Sequence, residues 1–316
     1  MTTRRMLGMH LCIGLWAISR SAGLCEEPTP SQALLAALNT FISNDKILSI
    51  AADTKTFVDG KLDTTAKVKV SVALNGAENL VAVDYEPFTK FSPEFTVQST
   101  LRTVFNGRYW SQATYDVGNP GKDNFAPVNV VRISSKPNPR FMNYKRRSGL
   151  ELCLPFFRFQ DQGGWLTLRD VLLDRTGYTF SVKEEKRDNA SLLKVTFGGD
   201  REWVLVDPQK NFVVLEHVLN SAEWRDETIA SQITQTRSGL WFATEYTYRY
   251  IDHGQEKMRT ETKISDVSYQ DKLVFEQTLK PKFPPGWRVI DERINKEFVI
   301  GQDPSTIINN ISSAVK

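Results

Sequence analysis

The side chains that could carry out chemistry are few, and they do not converge. A glycosidase needs two carboxylates held face to face, whereas neighbouring residues of a strand point to opposite sides. The paired carboxylates are adjacent in the sequence: Glu184-Glu185, Asp226-Glu227 and Asp291-Glu292. No metal-ligand spacing, nucleophile elbow, dinucleotide fingerprint or phosphate-binding loop occurs. We therefore predict no catalytic residue, no metal and no cofactor; a hydrolase would need converging groups in one cleft.

Two histidines follow the first 23 residues, and both fit structural positions. His217 alternates with Leu215 and Leu219 in a strand pattern, which favours a structural histidine over a catalytic base. His253 lies in an Asp-His-Gly turn, where exposure to solvent is expected.

The first 23 residues resemble a secretory signal peptide. Arg4 and Arg5 precede an apolar run, residues 6–18, and the small residues Ser21-Ala22-Gly23. This run is too short to span a membrane, and the layout predicts cleavage after Gly23. The mature protein is therefore expected to be periplasmic or secreted, with residues 24–30 as a linker and residues 31–316 as one domain.

Cys12 lies in this leader, so Cys25 and Cys153 remain. In an oxidising compartment these two thiols could form one disulfide. A buried free thiol at Cys153 and lipidation at Cys25 are the alternatives, although Leu24 does not suit lipoprotein processing. The fold must in each case rest on its core.

The charge of the mature chain gives no support for a nucleic-acid partner. Losing Arg4, Arg5 and Arg20 with the leader leaves 37 basic residues, 40 minus 3, against 37 acidic ones. Binding to nucleic acid would require a basic excess or stripe.

The elements that must position any site are mostly strands. Ser31 is the predicted N-cap of a helix with one apolar face, formed by Leu34, Leu35, Leu38, Phe41 and Ile42. Three two-residue hairpin signals then follow at Asp59-Gly60, Asn75-Gly76 and Asn106-Gly107, which predicts an antiparallel meander. Alternation from Ala66 to Val72 predicts a sheet with one buried and one wet face. We expect eleven to thirteen strands and three helices.

The later strands carry the aromatic surface. Strands are predicted at 201–207, 212–219 and 240–251, with a polar connection before Ser238, and at 257–265 and 272–279. A final hairpin, FPPGWRVIDERINKEFVIG, precedes a helix capped by Asp303. An apolar face larger than one helix can cover must curl around protein or an apolar ligand. The predicted ligand-lining residues are Trp203, Leu205, Leu240, Phe242, Tyr246 and Tyr248.

The segment before these strands is the most apolar short run. Residues 150–159, LELCLPFFRF, lead through Gly163-Gly164 to Thr167, a possible N-cap of a short helix at 168–173. This segment either plugs the core or forms a lid over a ligand cavity. The lid candidates are Phe156, Phe157, Phe159 and Trp165.

The layout resembles the outer-membrane lipoprotein carrier (LolA-like) superfamily. The resemblance lies in the W-x-x-x-D-P hairpin, here Trp203-Val204-Leu205-Val206-Asp207-Pro208, and in the strand start Gly239-Leu240-Trp241. The chain is longer than a minimal carrier, and its C-terminal hairpin is more similar to secreted relatives of unknown activity. No cargo-contacting residue of the carrier can be matched by position.

The resemblance implies a β-rich α+β fold, in which one large antiparallel sheet curls into an unclosed half-barrel with helices on its concave face. It also implies a monomeric, non-enzymatic carrier of an acyl chain, from a lipid or a lipoprotein. The alternative is an envelope structural or sensing protein whose cavity is self-filled and which binds a membrane-associated protein partner. The two differ in whether the concave face can take up a ligand.

Overall fold

The structure is a computed structural model that describes residues 29–43, 47–73, 81–91, 96–106, 108–118, 129–135, 157–160, 164–168, 172–173, 179–236, 239, 241–279 and 285–301. Two helices longer than one turn occur in this part, α1 (Pro30–Ser43) and α2 (Lys272–Leu279). The strands are β1 (Ile47–Val58), β2 (Lys61–Ala73), β3 (Val81–Phe91), β4 (Thr96–Phe105), β5 (Trp110–Gly118), β6 (Asn129–Ser134), β7 (Phe157–Gln160), β8 (Gly164–Thr167), β9 (Phe180–Arg187), β10 (Ala190–Phe197), β11 (Glu202–Asp207), β12 (Val213–Asn220), β13 (Trp224–Gln235), β14 (Trp241–Asp252), β15 (Gln255–Gln270), β16 (Arg288–Asp291) and β17 (Lys296–Val299).

One sheet of fifteen strands dominates the described chain, in the order β17-β16-β6-β5-β4-β3-β2-β1-β15-β14-β13-β12-β11-β10-β9. It consists of two antiparallel meanders, β1 to β6 and β9 to β15, which β1 joins by pairing with β15. β16 runs parallel to β6 and adds the C-terminal hairpin to one end. β17 and β9 are the edges, so the sheet is not closed, and the predicted β-rich half-barrel class is confirmed.

The helix α1 begins at Pro30, and its cap is Thr29, two residues before the predicted cap Ser31. The Gln32 amide N–H donates to Thr29 Oγ1 at 3.4 Å, and the Thr29 N–H donates to Gln32 Oε1 at 2.8 Å. This reciprocal capping box leaves Pro30 at the first turn, where its missing N–H costs nothing. Leu34 and Leu38 are 0% and 1% exposed, as the predicted apolar stripe requires.

The face of the sheet that α1 contacts, called the concave face below, holds the main core. Its apolar cluster includes Leu34 and Leu38 of α1, Val68 and Val70 of β2 and Trp110 of β5. Further members are Leu193, Val195 and Phe197 of β10, Val206 of β11, Ala243 and Tyr246 of β14, and Ile264 of β15. One continuous apolar cluster therefore extends from β10, which is next to the edge strand β9, to β5, the fourth strand from the other edge, β17.

The opposite, outer face is covered at two places, by the helix α2 and by the C-terminal hairpin, although the helices were predicted on the concave face. Phe275 and Leu279 of α2 pack with Ile47, Ala82 and Val104, which alternate with concave-face residues on their strands. The C-terminal hairpin supplies Val289 to a third cluster with Val131 and Ile133. The outer face is therefore apolar near α2 and near the hairpin.

The predicted strand at 272–279 is wrong, because this segment is the helix α2. Asp271 caps it, since its Oδ1 accepts the Leu273 N–H at 2.7 Å and its carbonyl accepts the Phe275 N–H at 3.1 Å. Phe275 and Leu279 are four residues apart and both are buried, which is the helical period. The same segment read at a two-residue period resembled a strand, and tertiary contact with Ile47 and Ala82 favoured the helix.

Two further predictions differ from the structure. The segment taken as a polar connection before Ser238 contains β13, a strand of 12 residues paired on both sides. The turn at Asn106 holds four residues rather than two, because Phe105 pairs with Trp110. Asn106 Oδ1 accepts the Arg108 and Tyr109 N–H groups at 3.1 and 3.0 Å, which stabilises this wider turn.

Several predictions lie outside the described residues. These are the leader, the pairing or lipidation of Cys25 and Cys153, the Asn75-Gly76 turn, the lid residue Phe156, the lining residue Leu240 and the helix capped by Asp303.

Candidate ligand-binding face of the sheet

The predicted lining residues divide between the two faces of the sheet. Tyr246 and Tyr248 of β14 lie on the concave face, where they are 2% and 5% exposed. Phe242 packs against the same cluster. Register shifts in the β13–β14 ladder bring Ala243 to the same side as Tyr246, although the two residues are three apart. The structure thus brings Tyr246 and Tyr248 together on one wall, and Phe242 contacts the same apolar cluster.

Trp203 and Leu205 lie on the outer face. In β11 they alternate with Val204 and Val206, which pack against the concave cluster. Trp203 is opposite Thr196, and its ring lies under the ammonium of Lys194 at 4.4 Å and the guanidinium of Arg187 at 5.9 Å. These contacts are cation–π interactions on a charged surface. The tryptophan that carries the hairpin motif is therefore on the wrong side to line a concave cavity.

Charged groups surround this outer patch. Arg187 binds both Glu185 and Glu216, and Lys194 Nζ lies 3.8 Å from Glu185. Leu205 is 1% exposed and is opposite Lys194 and Glu216 in the register of the neighbouring strands. The aliphatic stems and the Trp203 ring therefore shield Leu205 from water.

The predicted lid contains a two-stranded hairpin, separate from the main sheet. β7 pairs with β8, so that Phe157 is opposite Thr167 and Phe159 is opposite Trp165. Leu168, directly after β8, is 7% exposed and belongs to the concave cluster. The end of this segment therefore reaches the concave core, whereas the predicted short helix at 168–173 is described at Leu168, Leu172 and Leu173 alone.

Buried polar pairs cross the concave face at the level of Tyr248. The Thr56 and Thr260 hydroxyls are 3.0 Å apart, the Tyr248 hydroxyl donates to Asp226 Oδ1 at 2.8 Å, and His217 Nε2 lies 2.8 Å from Glu202 Oε1. Each pair joins two neighbouring strands of the sheet, and hydrogen bonding offsets the full or partial burial of these groups. His217 thus has the structural partner that its strand position suggested.

Tyr250 lies near two carboxylates at this end of the concave face. Burial raises the pKa of the Tyr250 hydroxyl, and the carboxylates of Asp252 and Asp226 raise it further. Sequence reasoning missed these pairs because Glu202, His217 and Asp226 are far apart in the chain. The strand alternation that places them on one face could have indicated them.

A groove of about 670 Å³ opens on the outer face, above the strands β2, β1, β15 and β14. Charged residues of both signs line it: Asp53, Lys55, Lys67, Glu245, Glu261 and Lys263. Lys263 Nζ lies 3.5 Å from Glu245 Oε1. Tyr246, whose side chain is buried on the concave face, is also among the residues that border this groove. The groove is polar, in contrast to the concave cluster.

Within the described residues no group of three or more His, Cys, Asp or Glu side chains could hold a metal ion. In the same part of the chain no helix is long and apolar enough to cross a membrane.

No family model and no curated protein matches the sequence. Among solved structures, the chain is similar to a LolA superfamily protein from Nitrosomonas europaea, with 12% identity and a TM-score of 0.41 over 76% of this chain and 94% of that one. It is also similar to a DUF1329 family protein from Desulfovibrio piger, with 14% identity and a TM-score of 0.44 over 77% of this chain and 94% of that one. The first is of the superfamily that the hairpin motif resembles. At these identities no residue role and no ligand is transferred to this chain.

Proposed function

We propose that the protein is an exported, non-enzymatic binding or carrier protein whose concave face shelters an acyl chain or another apolar ligand. The observation that carries the proposal is the continuous apolar cluster of that face, to which α1 contributes two fully buried side chains, Leu34 and Leu38. Leu34 and Leu38 are the α1 side chains that this cluster includes. A ligand could replace the helix if its own apolar burial offsets the burial that the two leucines lose.

The wall of the proposed site is formed by Tyr246 and Tyr248, with Phe242 packed against the same apolar cluster. Large aromatic and branched side chains suit an alkyl chain, because they bury apolar area without a demand for exact polar partners. In the proposed ligand-free state α1 covers part of the same apolar cluster, through Leu34 and Leu38. Binding exchanges Leu34 and Leu38 for the methylene groups of the ligand, so the apolar area that is buried stays nearly constant.

The first experiment is to identify what the purified mature protein carries. Native mass spectrometry and lipid extraction should find a co-purifying amphiphile, and a fluorescent fatty acid should bind the delipidated protein. A protein that carries no amphiphile and fails to bind the fluorescent fatty acid would end the carrier proposal.

The matched variants are Tyr246→Ala and Trp203→Ala, which remove one aromatic side chain from each face of the sheet. The carrier proposal expects the first to weaken fatty-acid binding by about tenfold, since it removes contact area on the wall. The second should leave binding unchanged, because Trp203 contacts Lys194 and Arg187 on the outer face.

The alternative function, binding of a membrane-associated protein partner, is favoured by one observation. Leu273 and Val274 of α2 are 69% and 51% exposed, and the nearby Tyr269 is 37% exposed. Exposed apolar groups in a cluster are typical of contact surfaces. In pull-downs from envelope extracts, Leu273→Ser/Val274→Ser should lose a partner while fatty-acid binding persists. A partner that is retained by this variant contradicts the alternative.

A further inference from the structure

Two polar groups lie unpaired inside the concave face, on β4 and β5. Thr103 and Gln112 are directly opposite each other in the antiparallel register. Thr103 is 2% exposed. Among the residues that the structure describes, neither Thr103 Oγ1 nor Gln112 Oε1 has a hydrogen-bond partner. These two atoms therefore differ from the buried pairs near Tyr248, each of which is satisfied.

The surroundings of this pair are apolar. Leu101 and Phe105 flank Thr103 on its own strand, and Val83 is opposite it on β3. Trp110 flanks Gln112 and stacks on Phe105, with the ring centroids 4.8 Å apart. Leu101, Val83 and Trp110 belong to the concave cluster. An unpaired hydroxyl in such a place destabilises a fold, whereas valine in its position would not.

A cation continues the row toward the edge of the sheet. Arg132 of β6 is opposite Gln112, so its side chain leaves the sheet on the concave side. Its side chain is 49% exposed, and its Nη1 lies 3.5 Å from Glu292 Oε1. An exposed ion pair of this length contributes little, so Arg132 can exchange it for another anion.

The row thus passes from a hydroxyl in the core, through an amide, to a guanidinium at the rim. The Thr103 hydroxyl and the Arg132 guanidinium donate hydrogen bonds, and the Gln112 amide donates through Nε2 rather than through its unpaired Oε1. Guanidinium also matches carboxylate and phosphate oxygens in geometry. The apolar cluster beside the row suits an alkyl tail. A ligand with an anionic head and an apolar tail fits both halves.

We propose that Thr103, Gln112 and Arg132 bind the anionic head of an amphiphile whose tail lies on the concave apolar cluster. This inference rests on the proposed carrier function and assigns the charge of its ligand. The shared chemistry is an oxyanion on an alkyl chain, which a free fatty acid and a phospholipid both supply. The head approaches from the Arg132 rim, and the Thr103 hydroxyl is the deepest group that it meets.

The test compares amphiphiles of one chain length, dodecanoic acid, dodecyl phosphate, dodecanol and dodecylamine, by displacement of a fluorescent fatty acid at low salt. The two anions should bind about tenfold or more tightly than dodecanol, since hydrogen bonds to a charged group are the stronger ones. Phosphatidylglycerol vesicles as a second competitor distinguish a phospholipid from a free acid. An anion preference with either competitor supports the inference.

The variant Thr103→Val tests whether Thr103 binds the ligand or only contributes to the stability of the fold. It should lower the preference for acid over alcohol by about fivefold, and it should raise the midpoint of thermal unfolding, because it removes an unpaired buried hydroxyl. Arg132→Gln should lower the same preference, and Thr103→Ser should retain it. The control is Thr196→Val on the outer face, whose hydroxyl lies 2.6 Å from Ser181 Oγ. This variant should lose stability and keep the preference.

The failures are distinguishable. If no amphiphile of any charge binds, the carrier function fails and this inference fails with it. If the acid and the alcohol bind wild type equally, or if Thr103→Val and Arg132→Gln leave the preference as it is, the anionic site is wrong and the carrier function stands.

Discussion

The double substitution Leu34→Ala/Leu38→Ala should release α1 from the sheet while the sheet stays folded. Both leucines are fully buried, and burial of one leucine side chain is worth about 1.5–3 kcal/mol. The two together contribute about 3–6 kcal/mol to the docking of a helix that sits at the start of the described chain. The described strands do not depend on α1 for pairing, since β1 pairs with β2 and β15. Loss of docking therefore need not unfold them.

Native-state hydrogen exchange measures this effect directly. The amides of residues 34–43 should lose protection by at least about two orders of magnitude, because a shift of 3 kcal/mol is more than a hundredfold in an equilibrium constant. Isolated helices of this length are marginal in water, so the released segment should exchange as an open chain. The amides of β1 and β2 should keep their protection.

The same variant should bind a fluorescent fatty acid more tightly, by about tenfold or more, if α1 competes with the ligand for the concave face. The control is Leu205→Ala, a leucine of 1% exposure on the outer face. It should lose about 2–5 kcal/mol of stability with unchanged affinity. The competition argument is refuted if α1 is released and affinity stays the same or falls, or if the α1 amides keep their protection.

Three further predictions concern stability. Thr56→Val should lower the free energy of unfolding by about 1–3 kcal/mol, because it leaves the Thr260 hydroxyl buried and unpaired. The double variant Thr56→Val/Thr260→Val should be nearly neutral, since it removes both hydroxyls. Urea unfolding of the wild type and the two variants checks this, and equal costs for both variants would contradict it. The side-chain hydrogen bonds from Arg293 hold the pKa of Asp291 below its usual value. A carboxyl whose pKa is lower in the folded state stabilises the fold at pH values above its unfolded pKa of about 3.9. Asp291→Asn should therefore be less stable than wild type at neutral pH, and this stability difference should vanish as acid titrates the folded carboxylate. A stability difference that persists in acid would contradict the pairing of Asp291 with Arg293. Gly60 has a φ of +76° in the β1–β2 turn, so Gly60→Ala should cost about 1 kcal/mol in the same unfolding assay, and a neutral result would mean that the turn relaxes.

The parts of the fold that local patterns predicted are those with local causes. The Asp59-Gly60 signal is a two-residue turn between β1 and β2, with φ angles of +47° and +76°. Ala66, Val68, Val70 and Val72 are all buried, as their alternation indicated. Ser71, on the predicted wet face, is 3% exposed because it is opposite Ala82, which α2 covers. Alternation showed where the two faces are, and the helix decided which parts of them are buried.

Local alternation also indicated which residues of the candidate site share a face, but not which face that is. Tyr246 and Tyr248 share a wall because residues two apart on a strand face the same side. Alternation did not predict the face on which Trp203 lies. It shows that Trp203 and Val204 point to opposite faces, but it does not show which of the two faces the core. The pairing of β11 with β10 and β12 decided it, by placing Val204 beside Val195 and Trp203 beside Thr196.

By itself the sequence determined the strand-rich class, the Asp59-Gly60 turn and the apolar stripe of the first helix, because each depends on residues close together in the chain. The tertiary structure alone decided the pairing of β1 with β15, the parallel contact of β16 with β6 and the helical state of residues 272–279. It also decided that Thr103, Gln112 and Arg132 form one row on the concave face. These features depend on contacts between distant segments, whose free energy outweighs the small differences in local preference.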